Sequence, residues 1–215
     1  MYLKYFKRLI DIVFSVIVLI VLAIPMAIVA LIIKREDPGP VLFKQKRVGK
    51  NKKYFYLYKF RSMKMNTPHD IPTHMLKNPE QYILKIGVFI RKASIDELPQ
   101  MWNILKGDMS IIGPRPALWN QDDLIMERDK YGANDVQPGL TGWAQINGRD
   151  ELEIPVKAKL DGEYVKKIGF LMDLRCFLGT IMSVLKSEGV VEGGTGEMKR
   201  KQDKIDEKNT DYRCW

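Results

Sequence analysis

The sequence predicts an α+β chain: an apolar, proline-interrupted N-terminal helix of membrane length, then a mainly helical domain holding one small β-hairpin. Three observations carry this. Ile12 to Ile33 is apolar except for Ser15, and a run of about 20 apolar residues is enough to cross bilayer hydrocarbon. Val41–Val48 and Tyr54–Met63 read as strands around a Gly49-Lys50-Asn51-Lys52 connection. Beyond Pro79 apolar residues recur at helical spacing, most plainly over Phe170–Lys186.

Taken in order, the first element is the apolar run. It is longer than the core of a signal peptide, and no small-residue cleavage site follows it. Lys4, Lys7 and Arg8 precede it, while Lys34, Arg35, Lys44, Lys46 and Arg47 follow. Positive residues favour the cytoplasmic side, so both ends ask for the same side. Pro25, near the midpoint, lacks an N–H and crowds the preceding turn, which bends a helix. A re-entrant helix satisfies both observations; a straight single-pass anchor with a mild kink is the competing topology. Asp37-Pro38-Gly39-Pro40 ends the segment in a turn.

In the hairpin Phe43, Phe55 and Leu57 supply an apolar face, and Lys44, Lys46, Lys59 and Arg61 are left for another. Those cations suit a solvated strand face, lipid headgroups or a substrate phosphate. Residues 66–77 form a loop whose His69 and His74 lack partners at metal-ligand spacing. Helices are expected over 79–92, 96–106 (closed by Gly107), 120–131, 155–168 and 170–186. The apolar face of the last suits a core or a membrane interface, as an interfacial amphipathic helix. From Gly193 the chain is glycine-rich and then dense in mixed charge, as in a flexible tail. The implied organisation is a membrane segment over 1–36, a catalytic domain over 37–190 and a charged tail over 191–215.

The net charge of +9 suits an anionic membrane, phosphorylated small molecules or nucleic acid. The positive charge is spread along the chain and no nucleic-acid motif occurs, which sets the last class aside. Cys176 and Cys214 form no CxxC pair, so a reducing cytosolic face is expected rather than a disulfide framework.

The chemistry concentrates at Asp96-Glu97, between Arg91-Lys92 and the turn Gly113-Pro114-Arg115-Pro116. A carboxylate among cations can bind a divalent metal, act as a nucleophile or cap a helix. Ser94 and Glu97 fit a capping box, but Pro99 would then fall at the fifth helical position. With Asp96 as N-cap, Pro99 falls at the third, where a missing N–H costs nothing. In either register Asp96 is expected at a helix N-terminus. Arg115 between two prolines presents a guanidinium rigidly to a phosphate. Pro138 to Arg149 gathers glycines, Gln145 and Arg149, and also reads as a β-turn with a short strand. Together these segments suit metal-assisted phosphoryl transfer.

The run RKASIDELPQMWNILKGDMSIIGPRP (Arg91–Pro116) resembles the bacterial sugar transferase family, the small monotopic phosphoglycosyl transferases. DPGPVLFKQKRVG (Asp37–Gly49), YKFRSM (Tyr58–Met63) and PGLTGWAQINGR (Pro138–Arg149) match it in the same order, and the likeness covers roughly residues 1 to 190. The resemblance implies transfer of a sugar phosphate from a UDP-sugar to polyprenol (undecaprenyl) phosphate, releasing UMP, at the start of glycan assembly. It implies Asp96 as nucleophile and Mg²⁺ ligand, with Glu97 as its dyad partner. Arg91, Pro114, Arg115 and Pro116 are placed at substrate phosphates, and Lys59, Arg61, Gln145 and Arg149 lie in matching motifs. It further implies the cytoplasmic face of a bacterial inner membrane, contact with membrane lipid and the option of a homodimer. Family members often carry Ser-Pro at the helix break where this chain has Ile24-Pro25, which leaves the bend angle open. The competing function is a non-catalytic basic protein bound to anionic lipid.

Overall fold

The computed structural model describes residues 2–67, 79–148 and 152–186. Among them the fold is mixed: helices pack around two small two-stranded sheets.

A single π-helical turn, Tyr2–Phe6, leads into α1 (Lys7–Val21) and α2 (Ala23–Glu36), whose axes differ by 62°. The break falls at Leu22 rather than at Pro25 itself. Pro25 cannot donate to the Val21 carbonyl and its ring crowds that group, so the ladder stops one turn earlier. Met26 N–H then restarts it by donating to Leu22 O at 2.8 Å. Pro25 thus sits in the first turn of α2, where no N–H is needed. No single described helix is long and apolar enough to cross a membrane, although the bent pair together has the length and composition. The bend forms with Ile24 in place of serine, its side chain facing outward.

β1 (Leu42–Val48) and β2 (Tyr54–Phe60) form the expected antiparallel hairpin, with Phe43 opposite Lys59. β2 stops at Phe60, three residues short of the predicted end, because Met63 pairs with Ile83 in an isolated bridge. That bridge also divides the expected 79–92 helix into a 3₁₀ turn, Pro79–Tyr82, and α3 (Lys85–Lys92). α4 (Gln100–Lys106) closes at Gly107 in the left-handed region, as predicted. It leads to β3 (Ser110–Ile112), and then come α5 (Asp122–Asp129), β4 (Gly139–Thr141) and α6 (Trp143–Ile146). β3 and β4 pair in parallel, a contact that local sequence pattern does not supply. α7 (Ile154–Lys166) and α8 (Phe170–Lys186) complete the fold.

The main core gathers Leu57, Met101, Ile104, Met109, Ile111 and Tyr164, with Phe14 and Val18 of α1 packed against it. A second cluster joins α2 to β2 and α3 through Val29, Ile33, Phe60, Leu84 and Ile90. The bent pair therefore rests on the domain through Phe14 and Val18 of α1 and Val29 and Ile33 of α2, while Ile17, Ile20, Ile24, Ile28 and Leu31 face outward. Lys7 and Arg8, which flank the apolar run in sequence, turn into the protein instead: Lys7 pairs with Asp173 at 2.6 Å and Arg8 donates to the Ile104 and Leu105 carbonyls. Cys176 is a buried free thiol; Cys214, His69, His74 and the tail lie outside the described residues.

Candidate active site

Asp96 and Glu97 lie in a 3₁₀ turn, Ile95–Glu97, that precedes α4. Neither expected capping register occurs. Ser94 takes a left-handed conformation before the turn, Pro99 occupies the residue before α4, and no side chain caps either element. The physical reason is Pro99: without an N–H it cannot continue an α-ladder from Ile95. The chain instead runs on i→i−3 bonds, Glu97 to Ser94, Leu98 to Ile95, Met101 to Leu98 and Trp102 to Pro99, at 3.0–3.2 Å. The pair is thereby left free of capping duty.

Three neighbouring segments bring cations to it. Lys59 of β2 donates to Glu97 Oε1 at 2.7 Å, and Arg115 Nη2 donates to the same oxygen at 3.0 Å. Burial alone would raise the Glu97 pKa, but Lys59 and then Arg115 outweigh it and hold the carboxyl well below the usual range. Asp96 is the opposite. Burial, with the Glu97 charge adding, pushes it up to about 6 against the pull of Lys59, Arg91 and Arg115. No hydrogen bond to the Asp96 carboxylate is found among the described residues. Arg91, at the end of α3, has a buried Nη1 with no hydrogen-bond partner among the described residues. One carboxylate is locked; the other, half-protonated near pH 6, is uncommitted beside an unspent guanidinium donor.

The supports of these cations explain their placement. Asn103, fully buried in α4, takes Tyr58 N–H at 3.0 Å and donates to Tyr56 O at 2.7 Å. It fills the free edge of β2 and sets Lys59 in register with Glu97. The Pro114-Arg115-Pro116 turn is fastened carbonyl by carbonyl: Gly139 N–H to Pro114 O at 2.9 Å, Arg128 to Arg115 O at 2.9 Å and Arg47 to Pro116 O at 2.9 Å. Arg128 is itself fixed by two bonds to buried Asp161, at 2.8 and 2.6 Å. Glycines let the two motifs cross in backbone contact. A Cβ on Gly139 or Gly142 would lie 2.1 Å from the Gly113 backbone. Asn103, Arg128 and Asp161 escaped the sequence reading, in which Arg47 is only a cation flanking the apolar run. The only signal was a polar residue where helical spacing asks for an apolar one, as at Asn103 and Asp161.

Of the residues singled out from sequence, the structure gathers Asp96, Glu97, Lys59, Arg91 and Arg115, with Pro114 and Pro116 framing the last. Arg61 is placed elsewhere: it is buried and pairs with Asp37, securing the turn after α2. Gln145 is buried in α6 and donates to Leu140 O at 2.9 Å, with its Oε1 unpartnered. It shares no hydrogen bond with the acidic pair among the described residues. Arg149 lies outside them.

Asp96 also suits a hard cation. Mg²⁺ is commonly held by one or two carboxylates plus substrate phosphates rather than by an all-protein cage. The described residues contain no cluster of three or more His, Cys, Asp or Glu side chains; of the acidic pair, Asp96 is the one with no hydrogen bond among the described residues and could hold such a cation together with donor phosphates. An open groove along α6 and α8, between Trp143, Leu174 and Leu178, has no acid in its lining and includes none of the residues around the acidic pair.

A model of the bacterial sugar transferase family matches residues 2–187. The uncharacterized sugar transferase EpsL of Bacillus subtilis is 40% identical over 184 residues, covering 86% of this chain and 89% of the relative. The undecaprenyl-phosphate glucose phosphotransferase of Komagataeibacter xylinus is 40% identical, over 81% of this chain and 35% of the relative. An Aeromonas hydrophila protein, UDP-N-acetylgalactosamine-undecaprenyl-phosphate N-acetylgalactosaminephosphotransferase, is 37% identical, over 86% of this chain and 45% of the relative. The chain spans less than half the length of these last two.

Proposed function

This chain belongs to the bacterial sugar transferase family and is an enzyme of it, and from that premise we propose that it transfers a sugar 1-phosphate from a UDP-sugar to polyprenol phosphate, in two steps through Asp96. The observation that carries the proposal is the contrast within the acidic pair: Glu97 is held by two cations, while Asp96 accepts no hydrogen bond among the described residues and is pushed up to about 6 by burial. A nucleophile needs a free, ionised oxygen at working pH.

An Asp96 oxygen attacks the β-phosphorus of the donor, the bond to the bridging oxygen breaks, and UMP leaves with that electron pair. An oxygen of polyprenol phosphate then attacks the same phosphorus and releases the Asp96 carboxylate, giving polyprenol diphosphate-sugar. Arg91, with its unpaired Nη1, and Arg115 face the diphosphate as charge-assisted donors. Glu97 keeps Lys59 and Arg115 in place. Asp96 and donor phosphate oxygens would hold Mg²⁺, which when bound supplies neutralisation of the diphosphate charge.

Membrane placement belongs to the same proposal. α1 docks on α4 and α2 on α3, so both ends of the 62° pair return to one body, which supports a re-entrant element over a through-spanning one. Exposed Phe170, Leu171, Leu174 and Leu178 on α8 add apolar surface for an interfacial position. The cytoplasmic face of an inner membrane and the division into membrane, catalytic and tail segments follow from this reading. The relatives' names print different sugars, so the donor must be screened.

The test is incubation of the full chain in nanodiscs with Mg²⁺, polyprenol phosphate and a panel of radiolabelled UDP-sugars. Label is expected in the lipid fraction, with UMP released. A chain that binds anionic vesicles but releases UMP from no donor would favour the lipid-binding alternative.

A further inference from the structure

Lys7, Asp11 and Ser15 stand one turn apart on α1 and are buried, in a helix whose other faces are largely apolar and exposed. Ser15 ends this stripe with its hydroxyl unpartnered among the described residues; the charged members are engaged. Lys7 Nζ lies 2.6 Å from Asp173 Oδ2, and the Tyr164 hydroxyl lies 2.7 Å from Asp173 Oδ1 and 3.2 Å from the Ile112 carbonyl. Asp11 Oδ1 accepts from Ile111 N–H at 2.9 Å and from Ser110 Oγ at 3.1 Å. Beside them Arg8 donates to the Ile104 and Leu105 carbonyls at 2.5 and 2.7 Å, at the helix end where carbonyls lack partners.

These contacts fall on either side of one connection. α4 begins three residues after Glu97, and β3 ends at Ile112, immediately before the Gly113–Pro116 turn. β3 pairs with β4 on one edge only, so Ile111 N–H faces away from β4. A buried strand-edge amide needs an acceptor, and the Asp11 carboxylate supplies it. α1 therefore grips the far end of the segment carrying Glu97 through Arg8, and the start of the segment carrying Arg115 through Asp11. The 3.0 Å contact between Glu97 and Arg115 depends on how those segments lie relative to each other.

We propose that Asp11 is a positioning residue: it fixes β3, and through it Arg115, against the Glu97 turn, so the seating of α1 on the domain sets the geometry of the phosphate site. The kinetic part rests on the transferase reading above.

Asp11→Ala removes the acceptor, whereas Asp11→Asn keeps an oxygen for Ile111. In the full chain in nanodiscs, Asp11→Ala should lower kcat/KM about tenfold or more, chiefly through KM for the UDP-sugar. Asp11→Asn should restore most of that loss. On an Arg115→Lys background Asp11→Ala should cost little more, since both act through the same guanidinium. Amide exchange should quicken across 110–118 in Asp11→Ala and stay unchanged in α5 and α7. Exchange needs no turnover, so failure of the transferase reading would leave this part decided separately. If Asp11→Ala does not fold, Asp11→Ser, too short to reach Ile111, replaces it in the comparison. Unchanged kinetics and exchange, or a loss that multiplies in full with that of Arg115→Lys, would overturn the proposal.

Discussion

Around Glu97, two carboxylates face Lys59, Arg91 and Arg115, and one of the two, Asp96, accepts no hydrogen bond among the described residues. Around Asp161, one carboxylate meets one guanidinium, Arg128, which spends its remaining contact on the Arg115 carbonyl. Both regions are buried ionic clusters, and they meet at Arg115. In the second, Arg128 bonds the carboxylate, Lys157 adds a weaker attraction, and solvent is excluded from the pair: side-chain exposure is 4% and 1%. In the first, Arg115 is 36% exposed, three cations face two carboxylates, and Asp96 accepts no hydrogen bond among the described residues. A matched buried pair is scaffold. A cluster with an uncommitted acid and an unspent donor is where a charged reactant can complete the balance.

Substitutions should therefore separate the two regions. Asp96→Asn should lower transfer by about 10⁴-fold or more, read as UMP release, while the chain still folds. Arg128→Leu alone should cost about 3–5 kcal/mol of stability by stranding Asp161. Replacing both, as Arg128→Met with Asp161→Leu, should recover most of that stability in thermal unfolding. It should still raise the KM for the donor, because the Arg115 carbonyl has lost its donor. If the double variant were fully active, the pair would not serve the site.

Glu97→Gln should lower transfer about a hundredfold, since Lys59 and Arg115 lose the negative charge that holds them. It should also move the acid limb. With Asp96 near 6, kcat/KM of the parent falls as pH drops through about 6. Removing the neighbouring negative charge lowers the Asp96 pKa, so the limb should shift to lower pH in Glu97→Gln. A shift upward would show that the Glu97 charge does not raise the Asp96 pKa.

The smallest effect concerns stability. The folded-state pKa of Asp96, about 6, lies above the ordinary 3.8, so its contribution is fully present below pH 4 and lost as pH rises through 6. Asp96→Asn should accordingly melt higher than the parent at pH 7.5, and the difference should vanish near pH 4.

What could be read from the chain was mostly local. Asp96-Glu97, Arg91 and the Pro-Arg-Pro turn are contiguous with their own motifs, and Lys59 falls on a strand recognisable by its alternation. The hairpin, Gly107 and α8 are likewise written in nearby residues. Contacts set by distant partners were hidden. Arg61 answers to Asp37, 24 residues away, and Asn103 to the edge of β2. Lys7 and Arg8 read as cytoplasmic-side flanks of the apolar run because Asp173 and the end of α4 cannot be inferred from charge alone. Pro99 misled the expected capping register, because a proline ends one hydrogen-bond ladder as readily as it opens another.

Asp96 as the covalent carrier is the central claim. Intact mass spectrometry and peptide mapping, after mixing the chain with Mg²⁺ and a transferable UDP-sugar in the absence of polyprenol phosphate, test this most directly. A sugar-phosphate adduct on Asp96, formed with one equivalent of UMP and discharged when polyprenol phosphate is added, is the predicted result. UMP release that begins only once the acceptor is present, with Asp96 unmodified throughout, would contradict it.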